Sequence, residues 1–328
     1  MPELPEVEVV RLGLAGLAGA RVASVTVFDE RSLRRHLGPS EDFVDRLTGS
    51  TLLHASRRGK FLWLPLLSEI QENQPAEPAG GPDLLATDAG TPAFRTDTDG
   101  GRPREALVVH LGMSGQVLLR ERGTDDARTR IRIDLDDPVH GALWLNFVDQ
   151  RIFGSMAIDE LLPAREVAGE WIPRSVSHIA RDPLDPHFDD RRFLAALAGK
   201  NTAIKRVLLD QNQLSGIGNI YADEALWAAR IHYNQPAASL SRARAKLLLA
   251  EVRLVLGKAL AEGGTSFDTQ YVDVNGDSGY FAHSLNVYGR QGEACPRCGR
   301  PVVREQFMNR GSHFCPFCQR LRTRALAR

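Results

Sequence analysis

The chain begins Met1-Pro2-Glu3-Leu4-Pro5-Glu6, which sets an imino acid beside a carboxyl group. Methionine aminopeptidase removes Met1 before a small residue, which would leave Pro2 as a free secondary amine. An α-amine titrates near about 8, so a fraction is unprotonated and nucleophilic at neutral pH. A secondary amine attacking a sugar carbonyl equivalent gives an iminium ion directly, and a neighbouring acid can move the protons. The chemistry on offer is carbon–nitrogen bond exchange. Taken alone, the residues favour a plainer reading, a Pro-Glu lead into a helix, because N-terminal proline is common and usually inert.

A second cluster suits a metal. Cys295-Pro-Arg-Cys298 and Cys315-Pro-Phe-Cys318 are two Cys-x-x-Cys knuckles, and they use every cysteine in the chain. Four thiolates at this spacing suit one tetrahedral, closed and hence structural zinc. Disulfides are the alternative, disfavoured by a reducing compartment. Zinc would replace a core too small to form alone. The ribbon tip carries Arg304, Asn309, Arg310 and His313, and could lay a guanidinium on phosphates. A third candidate is the turn Asn212-Gln213-Leu214-Ser215-Gly216-Ile217-Gly218-Asn219 before Ile220-Tyr221-Ala222. Its glycines permit positive φ. With Asn219 as helix N-cap, the next free amides would face outward as an anion site for DNA phosphate, with Lys200 and Lys205 nearby. An ordinary Asn-capped turn is the plain alternative.

The elements that must position these residues follow from pattern. A length of 328 residues suggests two or three domains. Hydrophobic content of 43% and charged content of 25% are those of a soluble protein. There is no run of eighteen apolar residues and no secretory signal, so the expectation is a cytoplasmic protein without a membrane partner. Net charge is zero, yet residues 191–328 hold 20 Lys and Arg against 10 Asp and Glu, and residues 1–190 carry the opposite excess. A basic C-terminal half is an electrostatic footprint for a polyanion, or a merely solvated surface.

Leu4, Val7, Val10, Leu14 and Leu17 mark an amphipathic helix over 4–18. Strand patterns follow at 21–28, 51–57, 60–65, 106–111, 114–120, 129–135 and 142–147. Residues 73–105, rich in Pro, Gly, Asp, Thr and Ala, read as a disordered acidic insertion. Residues 173–186 read as a linker. Helices are expected at 190–197, 204–209, 220–229 and 240–261, and an aromatic Gly/Asp-rich loop at 263–282. The domains are therefore 1–172, 187–282 and 283–328.

In this order the motifs resemble bacterial formamidopyrimidine-DNA glycosylases nearly end to end, outside the insertion. The likeness rests on Pro2-Glu3-Leu4-Pro5-Glu6-Val7-Glu8, Arg58-Gly59-Lys60, His110-Leu111-Gly112-Met113-Ser114-Gly115, Gly218-Asn219-Ile220-Tyr221-Ala222, Val287-Tyr288-Gly289-Arg290, and Asn309-Arg310-Gly311-Ser312-His313-Phe314-Cys315. It implies an α+β fold: a strand-rich β-sandwich with an N-terminal helix, a helix–two-turn–helix domain, and a C-terminal β-hairpin zinc ribbon. It also implies a monomer that excises oxidised purines from damaged double-stranded DNA and cleaves the strand by β,δ-elimination. One structural zinc and no redox or organic cofactor are expected.

By the same resemblance, Pro2 is the nucleophile and Glu3 the acid that protonates the sugar ring oxygen. Lys60 and Arg310 complete the catalytic set, and Glu6 is a further carboxylate. DNA contacts fall to His110, Arg151, Lys200, Asn219, Tyr221 and Arg310. Met113, Arg151 and Phe153 fill the void left by the extruded nucleotide. Gly276, Asp277, Ser278, Gly279 and Tyr280 form the loop over the lesion. Cys295, Cys298, Cys315 and Cys318 hold the zinc.

The chain departs from the family pattern in three places. Gln150 and Ile152 stand in the wedge motif where Asp-Pro-Arg-Arg-Phe-Gly is common. The lesion loop lacks the family's lysine. Ala180-Arg181-Asp182-Pro183 replaces Gly-Pro-Asp/Glu-Pro, where only a linker effect is expected. An endonuclease VIII-like preference for oxidised pyrimidines and a non-catalytic DNA-binding module are the competing readings.

Overall fold

The computed structural model describes residues 2–68, 103–265, 273–276, 279 and 281–322. The expected insertion at 73–105 lies outside them but for its last three residues.

Helix α1 (Leu4–Gly13) starts with Glu3 as N-cap and Pro5 in its first turn, where a missing N–H costs nothing. It ends at Gly13, earlier than its apolar spacing predicts. A Cβ at Gly13 would lie 2.5 Å from Val274, and a short 3-10 turn at Ala15–Leu17 continues the stripe. All five apolar positions are buried, but they serve two cores. Leu4 enters the helical core, while Val7, Val10, Leu14 and Leu17 enter the sheet core. The segment bearing the Pro2–Glu3 pair is thus fixed at the seam of the molecule.

The sheet strands are β1 (Arg21–Val27), β2 (Thr51–Leu52), β3 (Ser56–Arg58), β4 (Phe61–Leu67), β5 (Glu105–His110), β6 (Gly115–Glu121), β7 (Thr129–Asp137), β8 (Gly141–Asp149), β9 (Ser155–Pro163) and β10 (Trp171–Pro173). They are hydrogen-bonded in one path, β10-β9-β5-β4-β2-β1-β7-β8-β6, with β3 on β4. Alternate residues from both halves, such as Leu62, Leu64 and Leu66 on β4 and Ile131, Ile133 and Leu135 on β7, share one core. The path therefore wraps as two facing halves, a sandwich built from a single ladder. Helix α2 (Ser40–Leu47) closes this core with Phe43 and Leu47.

Residues 173–186 are more than a spacer. Val176 and Ile179 pack with Trp63, Val108 and Ile172 behind the sheet. Asp182 accepts from Arg57 at 2.9 Å, and the nearly buried Arg181 pairs with Glu170 and Asp185. The departure at 180–183 is thus built into a packed, ion-paired seam.

Helices α3 (Asp190–Ala198), α4 (Ile204–Leu208), α5 (Asn219–Ala228) and α6 (Arg242–Ala261) form the second core. The hairpin β11 (Val303–Phe307) and β12 (Arg310–Phe314) lies against it through Phe314. Two adjacent acids on α5 hold the C-terminal part. Asp223 accepts from buried Lys205 at 2.6 Å, Ser312 Oγ at 3.0 Å and the His313 amide at 2.8 Å. Glu224 accepts from the amides of Asn286, Val287 and Tyr288.

Candidate active site

Glu3 sits under the N-terminus of α5. Its carboxylate accepts from the amides of Gly218 at 2.6 Å, Ile220 at 2.9 Å and Tyr221 at 3.3 Å. The acceptor at this helix end is therefore the protein's own side chain, in the place expected for a DNA phosphate. The N-cap is Gly218, and Asn219 is the first helical residue. A Cβ at Gly218 would lie 2.4 Å from Glu3 Oε1, so only glycine lets the carboxylate in. The Asn219 Nδ2 donates instead to the Gly311 carbonyl at 3.0 Å, tying α5 to the ribbon tip. Burial raises the Glu3 pKa above the ordinary carboxyl range; the nearby Lys60 charge opposes this and Glu6 reinforces it.

Glu6 is a junction. Its Oε2 accepts from the Glu3 amide at 2.8 Å. Its Oε1 accepts from Tyr221 Oη at 2.5 Å and from the Thr265 amide at 2.7 Å. Tyr221 is buried with its hydroxyl spent on Glu6, so it supports the carboxyl pair and cannot be the expected DNA contact.

Lys60 lies in the tight turn between β3 and β4. Gly59 there has φ +59°, and a Cβ would meet Ser215 at 2.8 Å. Lys60 Nζ donates to the Ile217 carbonyl at 2.9 Å. Burial lowers its pKa, Glu3 opposes this, and the Arg310 charge adds to the lowering. Pro2, Val7, Lys60, His110, Leu111 and Gly112 line one small pocket. His110 accepts from the Gly112 amide on Nδ1 at 3.1 Å, which places the proton of the neutral ring on Nε2. Burial, with Arg35 and Lys60, drives its pKa down to about 3, so the ring is neutral and offers Nε2–H as a donor.

The two candidate wedge loops interlock. Phe153 is exposed, and the Arg151 guanidinium stands 5.2 Å from its ring. Met113, half-buried, lies in the turn after Gly112, where a Cβ would strike the Phe153 backbone at 2.2 Å. Asp149 sets both loops by accepting from Ser114 Oγ at 2.6 Å and from the amides of Arg151 at 3.0 Å and Gly154 at 2.6 Å. Ile152 occupies φ +58°, a left-handed conformation strained for a β-branched side chain. Arg34 donates to the Ile152 carbonyl at 2.5 Å and to the Phe153 carbonyl, holding that turn. Arg35 stands 5.4 Å from the Phe61 ring, beside His110. Sequence reasoning missed Arg34, Arg35 and Asp149. No local spacing signals the two arginines, because only sheet closure brings them to the cleft.

Of the remaining candidates, Lys200 stands 3.6 Å from Asp210 and Lys205 is buried on Asp223, so Lys205 cannot reach DNA. Arg310 is exposed at the start of β12. In the expected lesion loop, Gly279 abuts the Gly263 carbonyl, where a Cβ would come within 2.3 Å, and Gly276 has φ +103°. Asp277, Ser278 and Tyr280 lie outside the described residues. The four cysteine sulfurs lie within 4.8 Å of one another. Cys298 and Cys315 are 3.5 Å apart, beyond a disulfide's ~2.05 Å and near the ~3.8 Å edge of a tetrahedron with Zn–S of ~2.3 Å. The set fits one structural zinc, and Trp227 Nε1 donates to Cys295 Sγ at 3.4 Å.

Known proteins share this arrangement. The formamidopyrimidine-DNA glycosylase N-terminal domain matches residues 1–156, the H2TH domain of the same enzymes matches 179–271, and the zinc finger found in FPG and IleRS matches 292–321. A formamidopyrimidine-DNA glycosylase of Leifsonia xyli is 56% identical across 98% of this chain and 100% of its own. That of Nocardia farcinica is 52% identical across 97% and 98%. Among solved structures, a Lactococcus lactis Fpg in complex with DNA containing an abasic site superposes with a TM-score of 0.73 at 27% identity, covering 97% of this chain and 99% of that one. MutM from Thermus thermophilus gives a TM-score of 0.73 at 32% identity, covering 98% and 100%.

Proposed function

The chain belongs to the formamidopyrimidine-DNA glycosylase family, and on that premise we propose that Pro2, once freed of Met1, is the nucleophile that opens the glycosidic bond. The protein is a DNA glycosylase of base excision repair for oxidised purines, with AP lyase activity and one structural zinc.

The Pro2 nitrogen attacks C1′ of an extruded nucleotide, a C1′–N bond forms, and the bond to the damaged base breaks. Glu3, whose pKa burial raises, gives a proton to the ring oxygen as the sugar opens to the iminium ion. Loss of a C2′ proton expels the 3′ phosphate, a second elimination expels the 5′ phosphate, and water releases the sugar fragment from Pro2. Lys60, Arg310, the neutral His110 and Asn219 hold phosphates around the extruded nucleotide, with Lys200 at the periphery. Met113, Arg151 and Phe153 occupy the void, where a flexible thioether and a flat ring wedge between bases. Lesion-loop residues 276–280 cover the base. The protein works as a monomer in the cytoplasm; no described helix is long and apolar enough to cross a membrane.

The observation that carries this reading is the clamped, buried Glu3 next in the chain to Pro2, which itself lines one small pocket with Lys60. Borohydride reduction on a duplex with 8-oxoguanine opposite cytosine tests it. Covalent trapping is expected, with excision faster than on a thymine glycol duplex. Turnover without trapping, or dominant thymine glycol cleavage, would overturn it.

A further inference from the structure

Away from the cleft, a cavity of about 190 Å³ lies between the 231–241 loop, the start of α6 and the chain after the second cysteine knuckle. Arg244, Arg320 and Arg322 line it with His232, Ser239 and Ser241. Among the described residues no carboxylate side chain lines it, and residues 323–328 include no acidic residue. Elsewhere guanidiniums meet acids: Arg57 faces Asp182, Arg58 faces Glu170, and Arg253 faces Asp190. Here the described lining residues offer them no acid. Burial lowers the Arg244 pKa and the Arg322 charge lowers it further.

The cluster is held in place from both sides. Gln319 accepts from the Cys315 amide at 2.9 Å and donates to the Ile231 carbonyl at 2.9 Å. Gln235 donates to the Arg322 carbonyl at 2.9 Å and accepts from its amide at 2.8 Å. The zinc knuckle thus presents Arg320 and Arg322 to Arg244, whose Nη2 donates to the Arg230 carbonyl at 2.8 Å. His232 accepts from the Asn234 amide on Nδ1 at 3.1 Å, leaving Nε2 as the donor of the neutral ring.

We propose that this cavity takes a phosphate group, held by Arg244, Arg320 and Arg322 with the Ser241 hydroxyl and the His232 imidazole at its wall. Converging guanidiniums without a counter-charge, on a concave polar wall, match a phosphate's geometry and charge. The site is separate from the lesion cleft. Arg310 begins β12 and Phe314 ends it, with the Phe314 ring 4.7 Å from that of His232. Four residue steps of strand span about 13 Å. The phosphate comes either from the backbone of the bound DNA or from a free phosphate ester.

Inorganic pyrophosphate titrated calorimetrically into the zinc-loaded full chain, at constant ionic strength, tests this. A saturable component is expected that weakens about tenfold or more in Arg320→Ala/Arg322→Ala and in Arg244→Gln, and persists in Arg310→Ala. Arg244→Gln carries the test alone if the double variant loses zinc. Repeating the titration with saturating lesion duplex separates the sources: loss of the component assigns the cavity to DNA backbone, and persistence assigns it to a free phosphate. Absence of a saturable component in the wild type, or one that disappears in Arg310→Ala and is untouched by the cavity variants, would overturn the proposal.

Discussion

Glu3 and His110 have unusual protonation for opposite reasons of charge and the same reason of burial. Burial favours the neutral form of each: it raises the pKa of the acid and lowers that of the base. Glu3→Gln preserves size but has no proton to give a ring oxygen, so excision is expected to fall by about 10²–10⁴ with zinc content unchanged. Single-turnover rates on an 8-oxoguanine duplex would show it, and a wild-type rate would remove Glu3 as the acid. His110 offers a pH test. Its folded pKa of about 3 lies below the ordinary 6.5, so the unfolded chain binds a proton in that window and the folded chain does not. Its contribution is complete above about pH 6.5 and is lost as pH falls, amounting to about 2 kcal/mol by pH 5. Denaturation of His110→Gln should therefore show a shallower loss between pH 7 and 5 than the wild type. Equal slopes would mean that His110 is not buried neutral. The cysteines were legible as residue types, because four thiolates at this spacing name their own chemistry, whereas Pro2 and Glu3 alone favoured a plain lead into a helix and gained a catalytic reading only from the family resemblance. Arg34 and Arg35 were not, because their place in the cleft is a product of tertiary closure.

At the scale of elements, the proposed active site lies at the junction of α1 and α5. The sequence showed a glycine turn and a helix start, and it suggested that the freed amides await DNA. Which anion fills a helix N-terminus depends on what folds against it, and here α1 delivers Glu3 from more than two hundred residues away. Gly218→Ala should insert a methyl group into that carboxylate, costing about 1–3 kcal/mol and most of the excision rate. Thermal denaturation and single-turnover kinetics together check it; full activity would show that the clamp is dispensable. Tyr221→Phe separates support from DNA contact. It leaves Glu6 one donor short, which should cost about 1–2 kcal/mol of stability while leaving the salt dependence of duplex binding unchanged. A slope reduced by about one phosphate contact would restore Tyr221 to the DNA surface. Helix and strand patterns were legible because apolar spacing reports burial. The end of α1 was not, because the apolar stripe runs on through the 3-10 turn that follows Gly13.

For the whole molecule, two cores meet along α1 and a zinc ribbon hangs from two acids of α5. The charge split along the sequence anticipated a polyanion partner, although zero net charge alone would have hidden it. Not every basic residue of that half is free for such a partner: Lys205 is buried on Asp223, and the partly exposed Arg253 is paired with Asp190. Removing zinc should release the hairpin that carries Arg310 and anchors Asn219 through Gly311. Chelation is therefore expected to lower affinity for lesion duplex and reduce its salt dependence, while the β-sheet signal in circular dichroism persists. Unchanged affinity after complete zinc loss would mean that the ribbon does not bind DNA.

The central claim is that the attacking nitrogen belongs to Pro2. Borohydride-trapped complex, digested and mapped by mass spectrometry, tests it most directly. The reduced sugar fragment is expected on the imino nitrogen of an N-terminal peptide that begins at Pro2. A fragment mapped to Lys60, or to any residue of a chain that still carries Met1, would contradict it.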